Sequence, residues 1–392
     1  MIKIDEIYSS LFTPYLNEHC QSKSFKVNGE TVRGGCAIGT HYPFGASSPE
    51  SLQVNYVGDF KAANFVYFLD QEPVQFNVQN DTFKLVKKSF LDNYNSIDDL
   101  PSRSPKKKKF ALVTSEYNSM DAGKLKKYLN AEHFYYFFHG WAALDWFRGY
   151  DKAWLMQDPY KRNITKTFFS PNRIIGGARD HRVAMLYWFE KLKLMHNHIS
   201  APKICPVENV DIVDIGHRMS KPYPDIVHVL KDMQLPRTFE NEDTQLMTSF
   251  KLSNFKECAE SMVYHVTETV ASGYKQHLTE KIFKPICLRM PFVLTGTAGA
   301  LKYLQGYGFQ TFDSIWDESY DDIEDDYARY KKIAHLLFQL DSLNNKEKED
   351  TFTRCLPIIQ HNYQHFYGGT FEGILWNELK GMLKSLNDYF SN

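Results

Sequence analysis

An adjacent anion and cation, Glu280-Lys281, follow Thr279 in the stretch YKQHLTEKIFKPICLRMPFVLTG (274–296). Threonine is a favoured N-cap, so a helix is expected to open at Glu280. The first turn of a helix presents unpaired N–H groups and a partial positive charge, which suits an anion. Lys281 adds a full charge that could contact a diphosphate. Glu280 has the wrong sign for phosphate, but its carboxylate could accept hydrogen bonds from both hydroxyls of a ribose. Together the two would grip a nucleoside diphosphate. The plainer reading is that Glu280 complements the helix dipole and Lys281 is solvated. Pro285 removes a helical N–H and frees the carbonyl of Lys281, so a kink or a distorted first turn is expected.

Other residues could share that chemistry. Ser170-Pro171-Asn172-Arg173 stands at the end of an apolar run, and Arg179, His181 and Arg182 follow. Arginines so placed could clamp a phosphate bidentately; they would otherwise be surface residues of a capped helix. Glu268 follows the run SMVYHVT (261–267) directly. In the first half, DQEP (70–73) also ends an apolar run, and Glu72, or secondarily Asp70, could act as a general base. The segment HGWAALDWFRGYD (139–151) groups His139, Asp145, Trp146 and Arg148, candidates for acceptor binding. The run DESYDDIEDD (317–326) holds seven carboxylates. It lacks the ligand spacing of a calcium loop and reads more simply as a solvated helix start. No metal is expected.

These side chains need elements to hold them. Phe65 to Leu69 and Phe110 to Val113 read as buried strands ending in polar tips, the second at Thr114-Ser115-Glu116. Helical patterns follow at 121–129 and 180–195, and strands recur at 166–173, 261–269 and 292–294. Strand, polar tip, helix, strand is the pattern of parallel α/β structure. In such sheets ligands sit beyond the carboxyl ends of the strands. At 392 residues the chain is too long for one ordinary core. Ala201-Pro202 and Pro206 suggest a boundary near 200. The expected divisions are 1–200, 201–368 and an amphipathic helix over 369–392 that packs back on the first domain.

Composition narrows the function classes. The net charge is −1, so no global field attracts a polyanion. The PSRSPKKKK segment (101–109) is a short basic linker that could touch phosphates locally. No run of 18 apolar residues spans a membrane, and the start MIKIDEIYSS lacks a signal-peptide core, so a cytoplasmic location is expected. Six cysteines lie without a C-x-x-C spacing, which favours reduced, buried thiols.

Taken in order, these features resemble the two-domain, GT-B type glycosyltransferases, and in particular the family 10 fucosyltransferases. The resemblance runs through Ser170-Pro171-Asn172 with Arg173 to Arg182, Val266-Thr267-Glu268, Gly273-Tyr274, Leu278-Thr279-Glu280-Lys281 and Pro291-Phe292-Val293. Thr269 stands where that family has Asn, and Ser-Pro-Asn is a permutation of its Ser-Asn-Pro. The resemblance implies two Rossmann-like domains facing a central cleft. It implies a nucleotide-sugar donor and no metal or other cofactor. It assigns donor binding to Asn172, Arg173, Arg182, Glu268, Tyr274, Thr279, Glu280 and Lys281, and makes Glu72 the base.

The Thr-Glu-Lys-x-x-x-Pro-Ile form, with DQEP and the HGW segment, is also similar to glycosyltransferase-like proteins of bacteriophages. That similarity implies a hydroxymethylated pyrimidine in double-stranded DNA as acceptor and the host cytoplasm as location. The reaction expected is an inverting transfer to a hydroxyl. The alternatives are a transferase acting on glycan or lipopolysaccharide, or a sugar-nucleotide or DNA-binding protein without catalysis. A metal-dependent A fold predicts an Asp-x-Asp triplet, which the chain lacks. No protein partner is implied.

Overall fold

The computed structural model describes strands at 24–27, 30–33, 36–40, 55–57 and 64–69, residues 73, 74 and 76, and then residues 109–151, 162–239 and 251–391. The chain divides into two compact units. One comprises Met1–Asp145 with Gly373–Asn392, the other Trp146–Glu372.

The first unit contains β1 (Ser24–Val27), β2 (Glu30–Arg33), β3 (Cys36–Thr40), β4 (Asn55–Val57), β5 (Asn64–Leu69), β6 (Lys109–Thr114), α1 (Met120–Leu129) and β7 (Glu132–Tyr135). Helix α2 (Phe138–Trp146) closes it. Strands β2-β1-β4 form a small antiparallel sheet. Strands β3-β5-β6-β7 form a four-stranded sheet that is parallel throughout. Phe110 to Val113 of β6 are all buried. A continuous apolar run without alternation is what a parallel strand covered on both faces requires.

The second unit holds β8 (Lys166–Pro171), α3 (Asp180–Lys191), β9 (His198–Ser200), α4 (Ile212–Arg218), α5 (Ile226–Asp232), α6 (Phe255–Glu260), β10 (Ser261–Thr267), α7 (Glu280–Cys287) and β11 (Phe292–Thr295). Then follow α8 (Ala300–Gly306), a 3-10 turn at Ser319–Asp322, α9 (Asp326–Asp341) and α10 (Asn345–Tyr367). The last helix, α11 (Thr370–Ser391), belongs from Gly373 onward to the first unit. The sheet order is β11-β10-β8-β9, again wholly parallel. Every residue of the central strand β10 is buried.

Both units are thus α/β structures on parallel sheets, the fold class expected. The division between them falls at 145/146 rather than near 200. The Pro-rich break at 201–206 lies inside the second unit, because β8 pairs with β10 and β9 pairs with β8. Prolines there shape a loop and not a linker. Helix α7 continues through Pro285 to Cys287. Cys205, Cys258, Cys287 and Cys355 are buried and unpaired.

Candidate functional site

The carboxyl ends of β8, β10 and β11 carry a polar floor. His265 lies in the middle of β10, fully buried, between two hydroxyls. Its Nδ1 is 2.8 Å from Ser170 Oγ on β8, and its Nε2 is 2.8 Å from Thr295 Oγ1 on β11. Burial lowers its pKa to about 3, so the ring is neutral. Asn172 extends this network: its side chain donates to Ser170 Oγ at 3.1 Å and accepts from Thr267 Oγ1 at 2.7 Å. Its amide donates to Ser200 O at 3.1 Å. Asn172, expected to touch the donor, is therefore fully buried and joins three strand ends.

Above this floor Glu268 and Thr279 meet. Glu268 Oε2 accepts from the Thr279 amide at 3.2 Å, from the Thr279 hydroxyl at 2.5 Å and from the Thr269 amide at 3.3 Å. Oε1 is buried with no hydrogen-bond partner among the described residues. Burial raises the pKa of Glu268, opposed by Lys281 and by the bonds from Thr279. Thr279 is the N-cap of α7, in extended backbone, as its type and position require. Lys281 Nζ donates to Thr269 Oγ1 at 3.0 Å, Thr279 Oγ1 at 3.2 Å and Glu280 Oε1 at 3.0 Å. Its side chain is 28% exposed, whereas that of Glu280 is 5% exposed. The expected pair is present at the helix start, and its anion is the more enclosed of the two.

The arginines divide. Arg182 is buried and turns toward backbone carbonyls: Nη1 donates to Ile174 O at 2.6 Å, Nη2 to Thr267 O at 3.1 Å and Glu268 O at 3.3 Å. Burial, with Arg179 nearby, lowers its pKa to about 9. His181 Nε2 stands 2.9 Å from the same Glu268 carbonyl. Arg182, expected at phosphate, instead holds the β10 exit in place, because a buried guanidinium must satisfy its fork of donors. Arg173 and Arg179 are half-buried beside it. Tyr274, in the loop before α7, is 64% exposed.

Arg329 escaped the sequence reading. It is fully buried on α9, and its Nε donates to Gly296 O at 3.0 Å, Nη1 to Ile323 O at 2.6 Å and Nη2 to Ala271 O at 2.7 Å. It also pairs with Asp326. Tyr330 adds a hydroxyl to the Ala271 carbonyl at 2.7 Å. These two residues tie the exits of β10 and β11 to the acidic segment. Within that segment Asp321 accepts from the amides of Leu301 at 3.0 Å and Lys302 at 3.2 Å and so caps α8. Asp325 caps α9 through the Ala328 amide at 2.7 Å. Among the described residues no group of three or more His, Cys, Asp or Glu is arranged to hold a metal.

In the first unit, Glu72 and Asp70 lie outside the described residues, as does the basic run before Lys109. Glu116, at the tip of β6, is buried and accepts from the Val74 amide at 2.7 Å and from the Ser119 hydroxyl. It thereby fixes the segment just after Glu72, a role its position in a strand tip hinted at only weakly. His139 is buried in an apolar stretch of α2, its ring edge-on to Phe138 at 5.5 Å. Asp145 and Trp146 are half-buried and Arg148 is exposed. The boundary between units separates His139 and Asp145 from Trp146 and Arg148.

No family model matches the chain. No curated protein matches it either. Among solved structures, the α,α-trehalose 6-phosphate synthase of Burkholderia multivorans aligns over 82% of this chain and 66% of that chain, at 14% identity and a TM-score of 0.32. The chain thus spans just under two thirds of that structure's length. A superposition this loose carries no argument about fold or activity. Among the described residues no helix is long and apolar enough to cross a membrane.

Proposed function

We propose that the chain is a glycosyltransferase whose second unit binds a nucleotide-sugar donor. The observation that carries this reading is the Glu280–Lys281 pair at the capped start of α7, directly beyond the carboxyl end of β10. Lys281, at the positive end of the α7 dipole, would hold the diphosphate, and Arg173 is the second cation. Glu280 would take the ribose hydroxyls. Asn172, Arg182 and Thr279 contribute by fixing the backbone on which these residues stand.

The chemistry follows from that binding mode. A base deprotonates the acceptor hydroxyl, which displaces the diphosphate from the anomeric carbon in one step and so inverts it. Positive groups stabilise the leaving diphosphate in place of a metal. Glu72 remains the choice for the base. The first acceptor to assay is a hydroxymethylated pyrimidine in duplex DNA, with a glycan as the comparison.

The test is a thermal-shift series with UDP, GDP, CDP, ADP and their sugars, on the wild type, Lys281→Ala and Glu280→Ala. A nucleotide-specific rise in melting temperature, lost in both variants, is expected. A folded wild type that responds to none of these ligands rules the reading out.

A further inference from the structure

Strand direction separates charge in the first unit. Strands β3, β5, β6 and β7 run parallel, so their carboxyl ends share one edge of the sheet. The residues at and just after those ends, 40–50, 70–76, 114–121 and 135–140, include Glu50, Asp70, Glu72, Glu116 and Asp121 and no lysine or arginine. The basic residues come before the strands instead. Lys61 precedes β5, Lys106 to Lys109 lead into β6, and Lys126 and Lys127 lie in the last turn of α1, just ahead of β7. Lys124 is matched by Asp121 at 3.6 Å. His133, 2.8 Å or less from Thr114 Oγ1 at 2.7 Å, is neutral near pH 7, because burial and Lys126 lower its pKa to about 4.

That same edge presents aromatic surface on a firmly held loop. Tyr117 is 47% exposed and Met120 is 52% exposed. The Tyr117 ring stands edge-on to Tyr135, with centroids 5.5 Å apart. On one side of Tyr117, Glu116 accepts from the Val74 amide at 2.7 Å and from the Ser119 hydroxyl. Ser115 accepts from the Phe138 amide at 3.1 Å. On the other side, Ser119 caps α1 through the Ala122 amide at 3.0 Å. A ring carried on so constrained a backbone loses little freedom when a ligand covers it. Val74 stands two residues after Glu72, a chain length of at most about 7 Å. An acceptor hydroxyl delivered to Glu72 therefore brings the body of the acceptor to the Tyr117 loop.

We infer that the acceptor is an uncharged pyranose whose C–H face packs on Tyr117, and not duplex DNA. This rests on the glycosyltransferase reading above, with Glu72 as the base. Duplex DNA carries one charge per ~1.7 Å of its axis and is held by cations placed at its phosphates. Along this edge the chain supplies carboxylates, which repel that backbone. Base stacking on Tyr117 alone would leave the phosphates unmatched. A pyranose brings no charge. It offers an apolar face to an aromatic ring and a rim of hydroxyls to polar neighbours, such as the exposed Asn118.

The test measures release of nucleoside diphosphate by the full chain from the nucleotide sugar that raises its melting temperature. The acceptors offered are the methyl pyranosides of glucose, galactose, mannose and N-acetylglucosamine, and a duplex oligonucleotide containing hydroxymethylcytosine. At least one pyranoside should speed release, and the duplex should not. Tyr117→Ala should raise KM for that pyranoside about tenfold while the melting shift given by the donor is unchanged. Tyr117→Phe, which keeps the ring, should bring KM to within about threefold of the wild type. Release stimulated by the duplex, or by none of the pyranosides, overturns the inference and leaves the donor site standing. A wild type that shifts with no nucleotide overturns both. If Tyr117→Ala does not fold, Tyr117→Leu, which keeps the bulk without the ring, should show the same rise in KM. An unchanged KM in whichever of these two variants folds also overturns the inference.

Discussion

Glu268 Oε2 and Thr279 are joined twice, through the Thr279 amide at 3.2 Å and its hydroxyl at 2.5 Å. A strand end is thereby fastened to a helix start across an intervening loop. The same threonine caps α7 by accepting from the Lys281 amide. Thr279→Val keeps the volume and removes both hydroxyl roles. Loss of an N-cap costs about 1 kcal/mol, and a buried carboxylate stripped of a donor adds about 1–3 kcal/mol. Urea denaturation should show a loss of about 2–4 kcal/mol for Thr279→Val and well under half of that for Thr279→Ser.

Glu318 gives a pH signature. Burial raises its pKa to about 7, despite the bond that it accepts from the Phe312 amide at 3.0 Å. The unfolded chain releases this proton near the ordinary carboxylate value, while the folded chain holds it until about pH 7. The contribution of Glu318 is therefore fully present below the unfolded value and is lost as pH rises through the window up to about 7. The amplitude is on the order of 3 kcal/mol at about 1.4 kcal/mol per unit. Glu318→Gln should remove this slope and be the more stable protein at pH 8. Parallel stability–pH curves for the two proteins would refute the assignment.

Arg329 and Tyr330 act on one carbonyl, that of Ala271. Tyr330→Phe removes a single neutral bond and should cost about 1 kcal/mol. Arg329→Met strips the Gly296 and Ile323 carbonyls of their arginine donor, leaves Ala271 O to Tyr330 alone, and should cost about 3–5 kcal/mol, the range for breaking a buried ionic contact. Hydrogen exchange should then accelerate at 268–279 and 296–299 before it does in β8. Uniform acceleration across the sheet would mean that Arg329 supports the core and not the loops.

How much of this was legible follows from the range of each interaction. The helix start at Glu280 was readable because capping is local: Thr279, Glu280 and Lys281 are consecutive. The parallel sheets were readable because a strand buried on both faces is apolar without interruption. Arg182 was visible only as a charge, and its three carbonyl partners include Thr267 and Glu268, over eighty positions away. Arg329 bonds Ala271 across a separation of 58 residues, which no spacing rule reaches. The boundary was misplaced for a related reason. Prolines report local backbone, whereas the membership of β8 is fixed by its pairing with β10. The helix α10 carries an internal Pro357, and its capping box at Asn344 and Glu347 is the signal that would have revealed it.

The return of the last helix to the first unit makes a separate prediction. Leu375, Leu379, Met382 and Leu386 form a buried stripe along α11. Trp376 meets Trp141 edge-on at 4.8 Å, and Glu378 accepts from the Phe137 amide at 2.6 Å. Tyr389 reaches the Phe110 carbonyl of β6 at 3.3 Å. The parallel sheet of the first unit is thus completed by residues more than two hundred positions away, so its stability depends on the end of the chain. Trp376→Ala should cost about 3 kcal/mol, the lower part of the range for a large aromatic because Trp376 is only half-buried. Limited proteolysis of that variant should cleave first within 109–145, while 162–239 stays protected. Cleavage appearing first in 162–239 would show that α11 stabilises the second unit instead.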